Sequence, residues 1–402
     1  MNKLRAFYDK PAVKSVLSSL ISMLIGLVFG SIIVLIVALC SGAITMKGGM
    51  EGVQLVFFGV FAKGREAGEL VFGFNPQYMG DLLFRATPLI MTGLSVAVAF
   101  KTGLFNIGAP GQYLMGTAAT LWLALSIPTS VVPAWMVWVI AFLGGMLAGA
   151  LWGAIPGLLK ATLNINEVLA CIMTNWIAAN LVTWFFENSP LRNGDESAGG
   201  KIGYIRKTVE NGVATPKLGL DKLFPGSQAN AGILVAVLLA VAVYILMTKT
   251  TFGYQLKACG SNRFAAKYAG IADKRNIVLS MAIAGALSGA GAALYYLSGN
   301  TEFFWSTYQS LPAVGFNGIP VALLAINHPI GVIFAGLFMS MLNISGTALK
   351  YLTPYNEYIT DIIIAAIVYL SAFSLMIKLW LSKKKKKSEL LPVAPKSGKE
   401  DK

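Results

Sequence analysis

The sequence predicts an all-α integral membrane protein of about ten transmembrane helices, and three observations lead there. Apolar residues make up 56% of the 402-residue chain and charged residues only 12%, against roughly 25% charged in an average soluble domain. Uncharged stretches such as 15–46, 102–159 and 276–301 exceed the ~20 residues needed to cross the hydrocarbon core. The positive charge is gathered in three blocks: residues 1–14 (net +3), 249–276 (+5) and 383–402 (+5), out of +14 for the whole chain. Lys and Arg collect on the cytoplasmic side of membrane proteins, so the same pattern gives both class and orientation. Lysines that flank apolar spans suit anionic lipid headgroups, and nucleic acid is not an expected partner.

The elements follow in chain order. Residues 1–14 form a basic cytoplasmic N-terminus, and the apolar run after Lys14 is too long for a signal peptide and lacks a cleavage signature. It reads as a retained first helix, opening a transmembrane domain over 15–382. Ten crossings are expected near 16–40, 86–104, 109–127, 134–158, 168–186, 229–248, 277–297, 313–326, 330–349 and 360–380. The second and eighth are short and interrupted by Pro or Gly. With the N-terminus inside, an even count returns the C-terminus inside, and the basic segment 249–276 falls on that side too. Residues 47–85, with four basic and four acidic residues, form an outer loop whose apolar stretch 53–62 reads as an interfacial helix. Residues 187–228, rich in Gly and Pro, form a second outer loop, and 383–402 a basic cytoplasmic tail.

Small residues recur within the spans. Gly145, Gly149, Gly153 and Gly157 repeat every fourth residue in the fourth span, and Gly285, Gly289 and Gly291 cluster in the seventh. Such stripes let helix backbones approach closely, chiefly inside one bundle, with a dimer face as the alternative.

What the spans lack narrows the function. Asp81, Arg85, Lys101, Glu167, Glu302, Lys350, Asp361 and Lys378 fall at span ends or in loops, and the single histidine, His328, lies in the turn before Pro329. A proton-coupled transporter needs ionisable relays at depth, so an ion-coupled secondary transporter is the weaker alternative. No phosphate-binding G-x-x-x-x-G-K-[ST] loop or H-E-x-x-H metal pair occurs, and Cys40, Cys171 and Cys259 are scattered. The chain reads as neither an enzyme nor a cofactor protein, and its energy is expected from a partner.

The segment suited to receive that energy is basic and aromatic. Ser261 is placed to cap a short helix and Gly270 to end it. Phe264 and Tyr268, four apart, share one face beside Arg263 and Lys267. This reads as a docking helix or as an ordinary positively charged loop.

The motif Gly253-x-x-Leu256-Lys257-Ala258-x-Gly260-x-Asn262-x-x-Ala265-Ala266-x-x-x-Gly270-Ile271 resembles the ATPase-contacting loop of bacterial ABC importer permeases. The subfamily is the one shared by branched-chain amino acid, simple sugar and nucleoside importers. Phe105-Asn106-Ile107-Gly108-Ala109-Pro110-Gly111-Gln112 resembles that family's glycine-rich lead-in to its third span. Asn166-Glu167-Val168 with Thr174-Asn175-Trp176-Ile177-Ala178, and Gly315-Phe316-Asn317-Gly318-Ile319-Pro320, resemble two further segments of it. These matches span about 86–350, and the Asn-Glu-Val segment points to the nucleoside branch, whose importers work with a surface lipoprotein.

The resemblance implies a permease subunit of an ATP-driven nucleoside importer in a bacterial cell membrane, with a simple sugar or branched-chain amino acid permease as the alternative. Its partners are then a cytoplasmic ATPase, a second homologous permease and an extracellular substrate-binding lipoprotein. The ATPase-coupling residues are Gly253, Leu256, Lys257, Gly260, Asn262, Arg263, Phe264, Ala265, Ala266, Tyr268 and Gly270. Phe105-Asn106 and Phe316-Asn317 open the third and eighth spans from opposite sides, which fits an inverted repeat of two five-helix halves.

A nucleoside pathway calls for amides and aromatic faces, and the candidates are Asn106, Gln112, Asn175, Trp176, Asn180 and Asn317. For Asn175, a hydrogen bond to a neighbouring helix is the competing role. For Asn106, Gln112 and Asn317 it is structural capping of a helix break. Trp305 and Tyr308 read as interfacial anchors.

Overall fold

The computed structural model describes residues 11–42, 44–192, 204–304, 310–355 and 358–371. Among them the chain is mostly helical, with two short antiparallel strand pairs. The helices are α1 (Pro11–Ser41), α2 (Met46–Phe58), α3 (Pro76–Lys101), α4 (Ala109–Ser126), α5 (Ala134–Leu163), α6 (Glu167–Glu187) and α7 (Leu220–Leu223). They continue with α8 (Gly232–Lys249), α9 (Thr251–Ser261), α10 (Arg263–Tyr268), α11 (Asp273–Tyr296), α12 (Ala313–Leu324), α13 (Pro329–Leu352) and α14 (Tyr358–Ser371). Strands β1 (Ala62–Glu66) and β2 (Glu69–Phe72) form a hairpin, while β3 (Tyr204–Ile205) pairs with β4 (Phe303–Phe304).

Among the described residues seven helices, α1, α3, α5, α6, α8, α11 and α13, are long and apolar enough to cross a membrane. The chain is therefore a multi-pass membrane protein. The other three expected crossings differ for separate reasons. Helix α4 carries Pro110, Gly111 and Gln112 in its first turn, which lowers its hydropathy. Helix α12 has only 12 residues, too few to cross alone. Part of the expected 360–380 span lies outside the described residues, as do Trp305, Tyr308, residues 1–10 and the 383–402 tail.

Several expected boundaries move. The second span is a helix of 26 residues that starts at Pro76, ten residues before the expected start. Asn75 accepts from the Tyr78 amide and Pro76 occupies the first turn, where its missing N–H costs nothing. The chain stays helical through Pro88, whose carbonyl accepts from the Thr92 hydroxyl at 3.0 Å. Consequently the 47–85 segment is not a loop throughout. It holds α2, the β1–β2 hairpin and the first turns of α3, and the expected interfacial helix over 53–62 runs instead over 46–58. Buried Glu51 on α2 is clamped by Arg65 of the hairpin, which also donates to the Leu352 carbonyl at 2.7 Å and the Gly68 carbonyl at 2.8 Å. Glu51 is the one charged residue among the buried side chains of the described residues.

The 187–228 segment is similarly held over its described part. Asn211 donates to the carbonyls of Ala124 and Ile127, Thr215 bonds both Trp138 and Leu297, and the Gln228 amide donates to Asp81.

Helices α3 and α11 form the interior, buried over most of their length, whereas α1, α5 and α8 turn most of their residues outward. The glycine stripe explains how α5 does both. Gly145, Gly149 and Gly153 face α11, and Leu143, Leu147 and Leu151 point outward. A methyl added to Gly149 would overlap the Gly285 carbonyl, and one on Gly116 of α4 would sit 2.6 Å from the Gly289 Cα. Both stripes thus serve packing within this chain, where small residues give close backbone approach.

Candidate functional site

The predicted residues separate into three groups. The first is a buried amide knot at the start of α4. Helix α3 ends at Lys101, and residues 102–108 turn back into the bundle. There the Asn106 Nδ2 donates to Ser95 Oγ at 2.9 Å and to Gln112 Oε1 at 2.8 Å, while Gln112 Nε2 returns a bond to Asn106 Oδ1 at 3.0 Å. Asn175 of α6 completes the knot. Its Oδ1 accepts from the Gly111 amide at 2.9 Å and its Nδ2 donates to the Ile107 carbonyl at 2.9 Å. Ser288 of α11 satisfies the Ala109 carbonyl at 2.8 Å. All three amides are buried; Asn106 and Gln112 bond side chains, and Asn175 alone bonds backbone groups, among them the orphan Gly111 amide in the first turn of α4. Asn175 lies eight residues into α6, about 12 Å along the axis. Asn175 thus caps the break, while Asn106 and Gln112 bond each other.

Asn317, on α12, stands apart from this knot. Helix α12 starts at Ala313, so Asn317 falls inside it rather than at its opening. The start of α12 lies against the start of α4: a Cβ on Gly315 would meet the Pro110 Cα at 2.5 Å. The apolar pair Gly315 and Gly318 draws the short helix inward, the latter against Thr92 of α3.

The second group faces outward. Trp176 and Asn180 are exposed on α6, with Trp184 one turn further along the same face. The Asn180 Nδ2 donates to the Trp176 carbonyl at 2.8 Å. At the end of this face, Trp184, Asn188 and Trp122 line a cleft of about 240 Å³. Trp122 was not among the expected residues; its position on α4 carries no sequence signal that distinguishes it from an interfacial anchor.

The third group is the basic segment. Thr250 caps α9, accepting from the Gly253 amide at 3.0 Å, and Gly253 itself packs against the backbone of Leu246 and Met247. The expected cap, Ser261, is instead the last residue of α9. The capping residue is Asn262, whose extended backbone breaks the helix and whose Oδ1 accepts from the Ala265 amide at 3.0 Å. Gly270 follows α10 with φ +79°, a conformation that suits glycine.

Leu256 and Ala266 are buried, while Phe264 and Tyr268 are 78% and 94% exposed. Arg263 pairs with Asp273 at 2.6 Å, which ties α10 to the start of α11. Between the two short helices runs a groove of about 770 Å³, lined by Tyr254, Lys257, Asn262 and Ala265 among others. Exposed Tyr254 and Lys257 stand along this open groove.

Comparison with known families decides what this arrangement belongs to. Residues 78–372 match the profile of the branched-chain amino acid transport system / permease component family. The chain belongs to that permease family. The permease is also 33% identical to the guanosine ABC transporter permease protein NupP of Bacillus subtilis, over 88% of this chain and 96% of the relative. It is 35% identical to the nucleoside ABC transporter permease protein NupB of Lactococcus lactis, over 79% and 89% of the two chains. The glucose ABC transporter permease protein TsgB13 of Haloferax volcanii is 32% identical over 72% and 74%. No solved structure matches the chain. The role is transport rather than catalysis.

Proposed function

We propose that this permease is the membrane-spanning subunit of an ATP-binding-cassette importer for nucleosides. The observation that carries the substrate class is similarity along nearly the whole chain to two permeases whose names specify guanosine and nucleosides. The partners are a cytoplasmic ATPase seated on α9 and α10, a second homologous permease, and a substrate-binding lipoprotein outside. The glucose permease relative supports a sugar as the second reading.

The membrane-spanning part in this reading covers residues 15–382 and crosses ten times, with both termini in the cytoplasm. Basic ends support the orientation. Lys101 closes α3, Lys160 lies in the last turn of α5, and Lys249 ends α8, all at ends expected on the side that retains positive charge. The two short helices α4 and α12, which meet at Pro110 and Gly315, stand five crossings apart and support the inverted repeat.

The substrate pathway in this reading follows the exposed face of α6 through Trp176, Asn180 and Trp184, opposite the second permease. An amide exposed on a membrane-spanning helix is costly against lipid, and a neighbouring subunit or a hydroxylated substrate relieves that cost. Asn106, Gln112 and Asn175 then act by holding α4 in place, and Asn317 lies on the facing short helix.

Reconstitution with ATPase, second permease and lipoprotein tests this. Guanosine uptake that needs ATP and every partner is the expected result, with glucose failing to compete. Uptake by this chain alone along an ion gradient would overturn it.

A further inference from the structure

A short piece of backbone joins the docking helices to the amide knot. Gly260, on α9, packs face to face with the turn that ends α3. A Cβ at Gly260 would lie 2.8 Å from the Gly103 nitrogen and 2.8 Å from the Thr102 carbonyl carbon, and one at Gly103 would lie 3.0 Å from the Gly260 Cα. Two glycines back to back leave no compliant side chain between the elements, so displacement of one is passed on to the other.

The turn is stiff on both sides of that contact. Gly103 has φ +75°, and the amides of Thr102, Gly103 and Leu104 close the helix end by bonding Ala99, Phe100 and Ala99 respectively. The Thr102 hydroxyl donates to the Val98 carbonyl at 3.1 Å and accepts from Ser280 of α11 at 2.8 Å. The docking pair is fastened as firmly to α11, through Arg263–Asp273 at 2.6 Å and the Asn276 amide on Cys259 Sγ at 3.7 Å. Only two residues separate Gly103 from Asn106, the first amide of the knot, and the Phe100 and Phe105 rings brace that link at 5.2 Å.

We infer that the turn at residues 101–103 is a coupling lever: motion of α9 enters through Gly260, pivots on the Thr102–Ser280 hydroxyl pair and re-sets the amide knot that fixes α4. Gly103, Thr102 and Ser280 are thus positioning residues for transport, and none of them lies on the ATPase-docking surface. The inference rests on the importer reading above.

The test uses the complete complex in proteoliposomes, with Gly103→Ala, which inserts a methyl into the contact, and Ser280→Ala, which removes the pivot bond and leaves Thr102 bonded to Val98. Three quantities are read: ATPase co-purification, unstimulated ATP hydrolysis, and hydrolysis and guanosine uptake stimulated by loaded lipoprotein. Coupling free energies between sites commonly correspond to changes of about 5–150-fold. Co-purification and unstimulated hydrolysis are expected to stay within about twofold, while stimulated hydrolysis and uptake fall about tenfold for Gly103→Ala, on that scale. Ser280→Ala is expected to lower the stimulated rates in the same direction, and it decides the matter if Gly103→Ala fails to assemble. Wild-type stimulated rates in Ser280→Ala, or a parallel fall of stimulated and unstimulated hydrolysis, overturn the lever. A wild-type complex without ATP-dependent uptake instead overturns the importer reading.

Discussion

Asn106 and Gln112 bond each other twice, amide to amide, at 2.8 and 3.0 Å, with both side chains out of reach of solvent. Replacing Asn106 strands Gln112. Asn106→Leu should cost about 1–3 kcal/mol, the penalty for a buried amide left without its partner. Asn106→Leu with Gln112→Leu should cost less than the two single changes added together, by at least about 0.5 kcal/mol. Thermal unfolding of the detergent-solubilised protein measures this, and strictly additive losses would contradict the pairing.

The seam between α5 and α11 has no room for a side chain at Gly149. Gly149→Val should destabilise by about 1–3 kcal/mol or more, the usual cost of overpacking. Leu147→Val, on the exposed face of the same helix, should remain near wild type. Equal melting temperatures for the two variants would mean that the helices are not in contact there.

Phe264 and Tyr268 project from α10 with almost nothing of this chain against them. Changing both to Ala should leave folding and membrane insertion unaffected, yet weaken ATPase binding about 30-fold or more, as loss of an aromatic anchor worth about 2 kcal/mol does. Co-purification of the ATPase at graded concentrations gives the readout. Unchanged retention would move the docking surface elsewhere.

His328 precedes α13 and accepts a bond from the Gly331 amide. Burial, with Lys101 adding to it, holds its imidazole below the ordinary value of 6.5. As pH falls below that value, the unfolded chain binds a proton that the folded chain resists, so stability is full above it and declines as pH drops toward the folded-state value. The melting temperature should therefore fall more between pH 7.5 and 5.5 in the wild type than in His328→Asn, which retains a capping side chain. Identical pH dependence in the two proteins would exclude His328 as the source.

Glu51 and Arg65 pin the hairpin to α2, and Arg65 carries the link onward to Leu352. Glu51→Ala should release the hairpin, speeding trypsin cleavage at Lys63 and Arg65 roughly tenfold, the change that 1.4 kcal/mol of lost local stability produces. Cleavage at the wild-type rate would show that the strands hold without the ion pair.

Much of the fold was legible because a span announces itself by a long run without charge. Helices α4 and α12 were harder, since their lengths and depths depend on what lies beside them. Pro110 and Gly315 read as breaks in the sequence, but nothing local says that the two breaks touch. The sequence singles out Asn106, Gln112 and Asn175 as amides on a substrate pathway. Whether such an amide is satisfied by a neighbour or by a ligand is a tertiary fact, and here neighbours satisfy all three.

Trp176, Asn180 and Trp184 share one helix face by their spacing, yet α6 is apolar nearly all round, so periodicity could not say which face turns inward. On the basic segment, the four-residue spacing of Phe264 and Tyr268 puts them on one face, and the structure exposes both. The choice of Ser261 as cap failed because Asn262, next to it, has the side chain that reaches the Ala265 amide.

The glycine seam also bears on leakage. Because α4, α5 and α11 close on one another backbone to backbone, that seam leaves no bore for water or ions to follow.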